Sequence, residues 1–435
     1  MKRINFPKMD VKVEGLEEIK IPRMVKIRQL FNAQKIDDIA GTIKGQMETN
    51  LMNHGQYDGK RIAISVGSRG IPHLDVIVRT VSDTLRSWGA KPFIVPAMGS
   101  HGGGTADGQA EMIATYNITE ESMGIPVRSS MEVVQLGTLE DGMPVYCDKN
   151  AYESDGIVIL NKVKPHTNFR GAHESGMAKM MAIGLAKHKG ASMLHMKGMP
   201  TFGKKIPQVC DVFMKQAPIA FGVGIVQNAY DDICQIEVME KEHIMEKDAE
   251  LLVLARDRMA KFKFNDIDVL IIDQIGKNIS GYGHDPNITS RSCQEGLFTE
   301  PHVKKMFVRG LTKETHHNAS GIASADITTR RCLNDIDFEA TWVNMITSTM
   351  LNGARIPLYM ENDYEALRIA IRTCTGDDFD LQHPKVVHIK DTMHMTDIEV
   401  SEAYLNELRI YPDIEILSEP FEMEFTEDGF MKDIE

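Results

Sequence analysis

Two histidines follow turn-forming residues at the ends of apolar runs. His101 lies in "GSHGGGTADG" (99–108), and His166 lies in "VKPH", where Pro165 fixes the backbone just ahead of the ring. Imidazoles placed at two adjacent strand ends can act as acid and base on opposite sides of one bound substrate. "SVGSRGIP" (65–72) adds Ser68 and Arg69, a hydroxyl and a guanidinium suited to a phosphate or carboxylate. The backbone N–H groups of Gly102, Gly103 and Gly104 are candidates for an anion nest, although such loops also occur as plain tight turns. Further along, the stretch from Lys162 to Gly198 holds His166, His173, His188 and His195 together with Lys179. Neither H-E-x-x-H nor a Cys₂His₂ pattern occurs there, so the spacing does not describe a zinc site.

The elements that must position these groups alternate in type. "RIAISVG" (61–67), "KPFIVPAMG" (91–99) and "GIVILNKV" (156–163) read as buried strands, and each runs into one of the loops above. Between the first two, Leu74, Ile77, Val78, Val81 and Leu85 share one helical face, and Gly89 ends the helix. Met177 to Met196 reads as a helix fed by the loop after His166, an arrangement suited to an anion or a cofactor. The methionines there read as adaptable packing. A second series follows Lys263, with strands "IDVLIIDQI" (267–275) and "KVVHIKD" (385–391) and helical patterns at 342–351 and 364–374. The fold class expected is two α/β domains with mostly parallel sheets, residues 1–263 and 264–435, the last segment returning to the first domain. The first domain holds cofactor and catalytic groups, the second contacts substrate, and the site lies in the cleft between them.

Composition narrows the partners. The net charge of -13 argues against nucleic acid or an anionic membrane as a general partner, so any anion site must be local. Six scattered cysteines without a C-x-x-C pair fit reduced thiols and a cytoplasmic location. No apolar run reaches the roughly 20 residues that span a bilayer, and "MKRINFPKMDVKVEG" lacks a signal-peptide apolar region.

"MGSHGGGT", "VKPH" after a strand, "SGMAKMMAIG" and a histidine sixteen residues after Lys179 together resemble the lactate racemase family that carries a nickel-pincer nucleotide. The resemblance implies His101 and His166 as the catalytic histidines, Lys179 as the lysine covalently attached to the cofactor, and His195 as the nickel ligand. It implies that "QIGK" supplies Gln274 and Lys277 for substrate. Ser68, Arg69 and Gly102 to Gly104 then serve cofactor phosphate or substrate carboxylate, with Arg69 a substrate anchor beside Lys277. A histidine nitrogen completing a square plane around nickel suits Ni(II). Glycines such as Gly171 and Gly176 are expected to let the backbone approach a flat cofactor ring. The implied reaction is racemisation or epimerisation at C2 of a 2-hydroxy acid by reversible hydride transfer with histidine acid–base catalysis. Its partners are the small-molecule substrate and the proteins that assemble the cofactor.

Departures from the family pattern bear on the substrate. "VGSR" keeps Arg69 and a hydroxyl but places Val66 where an acid is usual; Gly102 stands where an arginine is usual; the loop from His166 to Lys179 is longer. They imply an acid larger or more hydroxylated than lactate, such as a sugar acid. A dehydrogenase with a dissociable nicotinamide nucleotide shares the α/β loops and a histidine base but leaves Lys179 and His195 unexplained. A non-enzymatic carrier of the nickel cofactor explains those two and leaves the His101 and His166 pair unexplained.

Overall fold

A computed structural model describes residues 3–68, 70–294 and 296–434. The chain divides into two compact units, one formed by Asn32–Met259 and the other by Met1–Phe31 with Ala260–Glu435.

In the Asn32–Met259 unit a five-stranded sheet runs in the order Lys91–Pro96, Arg61–Val66, Gly156–Lys162, Ile219–Gln227, Ile233–Glu240. The first four strands are parallel and the fifth is antiparallel. Arg61–Val66 is buried at every position after Arg61, as expected for an apolar run covered on both faces of a parallel sheet. The Leu74–Ser87 helix packs Leu74, Ile77, Val78, Val81 and Leu85 into the core. Burial of each large aliphatic side chain contributes about 1.5–3 kcal/mol. The chain leaves that helix at Gly89, whose φ of 81° and missing Cβ let it lie against Asp58.

The other unit holds an eight-stranded sheet among the described residues. Leu358–Met360, Ile327–Thr329, His302–Val308, Asp266–Ile272 and Val386–Ile389 are parallel neighbours, and Asp397–Ser401, Met24–Gln29 and Ile414–Ile416 continue it antiparallel. Both sheets are thus mixed and mostly parallel, and the fold is α/β as expected.

The division differs from the one expected from the sequence. Residues 1–31 run with the C-terminal unit because Met24–Gln29 is an interior strand of its sheet, hydrogen-bonded to Asp397–Ser401 on one side and Ile414–Ile416 on the other. The late segment does return to the chain's beginning, but within that same unit. The boundary falls at Met259–Ala260 and not at Lys263, whose N–H donates to Gln29 Oε1. Among the described residues, no helix is long and apolar enough to cross a membrane.

Candidate active site

The loops after Arg61–Val66, Lys91–Pro96 and Gly156–Lys162 leave the carboxyl ends of parallel strands, where α/β sheets bind ligands. The strands that carry His101 and His166 are not adjacent, which corrects the expectation of neighbouring strand ends. Arg61–Val66 lies between them, paired in parallel with both.

On one side, Ser68 Oγ and His101 Nδ1 share a hydrogen bond, which joins the first two loops. Tyr116 supports the first loop by donating its hydroxyl to Ser68 O at 2.7 Å. Arg69 lies outside the described residues. Gly102, Gly103 and Gly104 all have φ near +65°, and a Cβ on Gly102 would come within 2.6 Å of Gly108 backbone. The Gly104 N–H donates to His101 O at 3.2 Å, so one of the three expected anion-binding amides is spent inside the turn.

On the other side, His166 is fixed through its backbone and its ring. Its N–H donates to Glu174 Oε2 at 2.6 Å, and Nδ1 accepts the Asn168 N–H at 3.0 Å. The ring packs on Phe169, with centroids 4.3 Å apart. Phe169 packs on Phe202 at 5.3 Å, and Phe202 on His195 at 5.2 Å. An aromatic bridge therefore connects the His166 loop to His195. With Nδ1 accepting, a neutral His166 carries its proton on Nε2.

The segment bearing Lys179 is a broken helix. Met177–Lys179 is one short turn, Met180–Gly184 is π-helical, and Lys187–Met196 is α-helical. The continuous helix expected from Met177 to Met196 fails for two reasons. Gly184 packs so closely on Ala97 O that a Cβ would stand 2.7 Å away, and Lys187 takes a φ of 54°. π-Helical turns recur at functional sites.

Lys179 is half-buried, and its positive charge is felt at His195. Burial lowers the His195 pKa and the Lys179 charge lowers it further, so the imidazole is held neutral. His195 Nδ1 is buried with no hydrogen-bond partner. An unpartnered nitrogen on a neutral ring is what a metal ligand offers; His54 Nε2, His284 Nε2 and His388 Nδ1 are also buried without a hydrogen-bond partner, and what sets His195 apart is the Lys179 charge felt at its ring. The lysine and histidine therefore fit a covalently tethered, nickel-bearing cofactor.

Two buried carboxylates organise this segment, and sequence reading missed both. Glu174 is 1 % exposed and gathers the N–H groups of His166 and Gly171, with Arg170 and Arg256 as its cations at 3.3 and 2.6 Å. Asp248, also 1 % exposed, accepts from Met177 N–H at 2.6 Å and pairs with His173 Nδ1 at 2.9 Å. It thereby caps the turn that ends in Lys179. The signal for Asp248 was an acid in the apolar stripe Ile244, Leu251, Leu252, Ala255 of the Ile244–Arg258 helix. Gly176 is needed because a Cβ would sit 2.2 Å from Asp248 Oδ1, and Gly171 because a Cβ would sit 2.9 Å from Gly203 Cα. Both glycines admit protein atoms, which corrects the expectation that they lie against a cofactor ring.

In the other unit, Gln274 donates to Asp391 Oδ2 at 3.2 Å, and Lys277 Nζ donates to Asn344 Oδ1 at 2.7 Å. Gln274 lines a cavity of about 480 Å³ with Asp273, Arg309, Arg331 and Lys390; Lys277 is not among its described lining residues.

Residues 20–203 match the lactate racemase N-terminal domain family. That span contains Ser68, His101, His166, Lys179 and His195, and ends before Gln274 and Lys277. No curated protein matches the chain. Among solved structures, the lactate racemase apoprotein from Thermoanaerobacterium thermosaccharolyticum is 14% identical with a TM-score of 0.46, over 90% of this chain and 97% of that one. A protein from Thermotoga maritima is 11% identical with a TM-score of 0.50, over 83% of this chain and 99% of that one, a likeness of fold. Over residues 20–203, then, the chain carries a lactate racemase N-terminal domain.

Proposed function

We propose that the protein is a racemase or epimerase acting at C2 of a 2-hydroxy acid, with a nickel-pincer nucleotide attached to Lys179 and ligated by His195. The lactate racemase N-terminal domain supports a hydroxy-acid racemase or epimerase at the family level. The observation that carries the finer reading is the buried, unpartnered Nδ1 of a neutral His195 beside Lys179. When bound, the cofactor supplies a hydride acceptor for C2 that can return the hydride to either face.

The chain's own residues do the rest. His101 and His166 exchange the hydroxyl proton, one for each enantiomer. Ser68 holds His101 through Nδ1, leaving Nε2 as its working atom. His166 Nδ1 accepts the Asn168 N–H, so taking a proton at that nitrogen requires the Asn168 N–H to give way. Proton uptake there is thus coupled to the 166–169 turn. Gln274 and Lys277 are proposed ligands of the substrate carboxylate and oxygen. Val66 and Gly102, in place of an acid and an arginine, favour an acid larger or more hydroxylated than lactate, such as an aldonate.

Peptide mass mapping of protein co-produced with cofactor-assembly proteins tests the assignment. Added mass on the Lys179 peptide, with one nickel bound per chain and lost in His195→Ala, is expected. Full activity in nickel-free protein would overturn it.

A further inference from the structure

Between Lys179 and His195 lies a lysine that neither role uses. Lys187 is 0 % exposed, and its backbone sits in the left-handed region at φ 54°. A non-glycine residue holds that conformation only when its surroundings compel it. Its ammonium donates to Pro96 O and to Gln109 Oε1 at 3.0 Å, and it lies 3.3 Å from Asp148 Oδ2 as an ion pair. Asp148 is itself fully buried, and its N–H donates to Leu185 O at 2.6 Å, on the same broken helix.

Gln109 passes the contact on. It is 0 % exposed, and because Lys187 donates to Oε1, its amide nitrogen must face the other way. There it donates to Gly99 O at 2.9 Å and His101 O at 3.3 Å. A second tie runs the same way: the Gly99 N–H donates to Gly184 O at 3.1 Å, which leads to the same π-helical turn.

We propose that Lys187 and Gln109 are positioning residues, forming a buried bridge that sets the His101 loop in register with the helix bearing Lys179 and His195. The bridge runs from the helix backbone through the Lys187 ammonium and the Gln109 amide to the carbonyl of His101 itself. It fixes the base relative to the cofactor-bearing segment without touching substrate. The catalytic consequence rests on the proposed racemase reading, while the structural coupling does not.

Gln109→Glu separates the two ends of the bridge. The new side chain still accepts from Lys187 but presents oxygen, not N–H, to Gly99 O and His101 O. In cofactor-free protein, amide exchange over residues 98–105 is expected to rise by about tenfold or more. The His101 ring resonances should titrate differently from wild type. Loaded enzyme should show kcat down roughly 100-fold, KM within about threefold, and unchanged mass on the Lys179 peptide. Lys187→Met should do the same if it folds; Gln109→Glu keeps the test open if it does not. Wild-type exchange over 98–105 together with a wild-type His101 titration in Gln109→Glu would overturn the proposal. Loosened exchange in a protein whose wild type inverts no hydroxy acid would uphold the coupling and reject the reaction.

Discussion

Replacing Asp248 by alanine removes the cap of the turn that ends in Lys179. The carboxylate is buried and accepts from Met177 N–H at 2.6 Å and, more loosely, from Ala178 N–H at 3.4 Å, while its other oxygen meets His173 Nδ1 at 2.9 Å. Hydrogen bonds to a charged acceptor contribute about 1.5–3 kcal/mol each, and the donors left behind in Asp248→Ala have no water to turn to. Two strong bonds lost predict a destabilisation of about 3–6 kcal/mol. Asp248→Asn keeps an oxygen for the backbone amides and loses only charge assistance, about 1–2 kcal/mol. The assay is hydrogen exchange at Met177 and Ala178, with the urea midpoint as a check. At tenfold per 1.4 kcal/mol, Asp248→Ala should speed local exchange by about 100-fold or more, with Asp248→Asn well below it. A change under about 1 kcal/mol in Asp248→Ala would show that the packing of the Ile244–Arg258 helix, and not this carboxylate, holds the Lys179 turn.

Gly176→Ala drives a Cβ to 2.2 Å from Asp248 Oδ1, so it should lower the melting temperature and cut Lys179 loading; wild-type loading would refute the contact. His388 is buried, which lowers its pKa, but Asp273 at 2.6 Å and Glu399 at 3.4 Å outweigh burial and push it up to about 9. A raised pKa means stability fully present below about pH 6.5 and lost as pH rises through about 9, on the order of 3 kcal/mol in all. His388→Phe should flatten that part of the stability–pH curve, and an unchanged slope between pH 7 and 10 would reject the charged pair. Substrate deuterated at C2 should keep its label through inversion in ordinary water, whereas wash-out would favour a two-base route by deprotonation.

The strands around the site were legible because a parallel sheet buries them on both faces. Arg61–Val66, Lys91–Pro96 and Gly156–Lys162 are continuous apolar runs, and each ends at a loop with chemistry in it. Residue type and order singled out His101, Lys179 and His195 as candidates, and the structure adds that the Lys179 charge is felt at His195. The break at Gly184 to Lys187 was not, because it depends on Ala97 O and on the acceptors around Lys187, none of which is local in sequence. Glu174 and Asp248 were overlooked for a similar reason. Glu174 looks like any loop acid until the backbone amides it serves are brought to it, whereas Asp248 carried a signal in the apolar stripe of its helix but not the identity of its partners. Placing residues 1–31 required knowing that Met24–Gln29 pairs with strands nearly four hundred residues later, which no local pattern encodes.

Chiral analysis of 2-hydroxy acids incubated with the protein before and after loading with the nickel cofactor decides whether it inverts C2. Lactate, malate and C5 to C6 aldonates form the panel. Inversion at C2 is expected only in the loaded protein, fastest on an acid larger or more hydroxylated than lactate, and lost in His195→Ala, His101→Ala and His166→Ala. Protein carrying nickel and added mass on the Lys179 peptide that inverts none of these acids would contradict the proposed function.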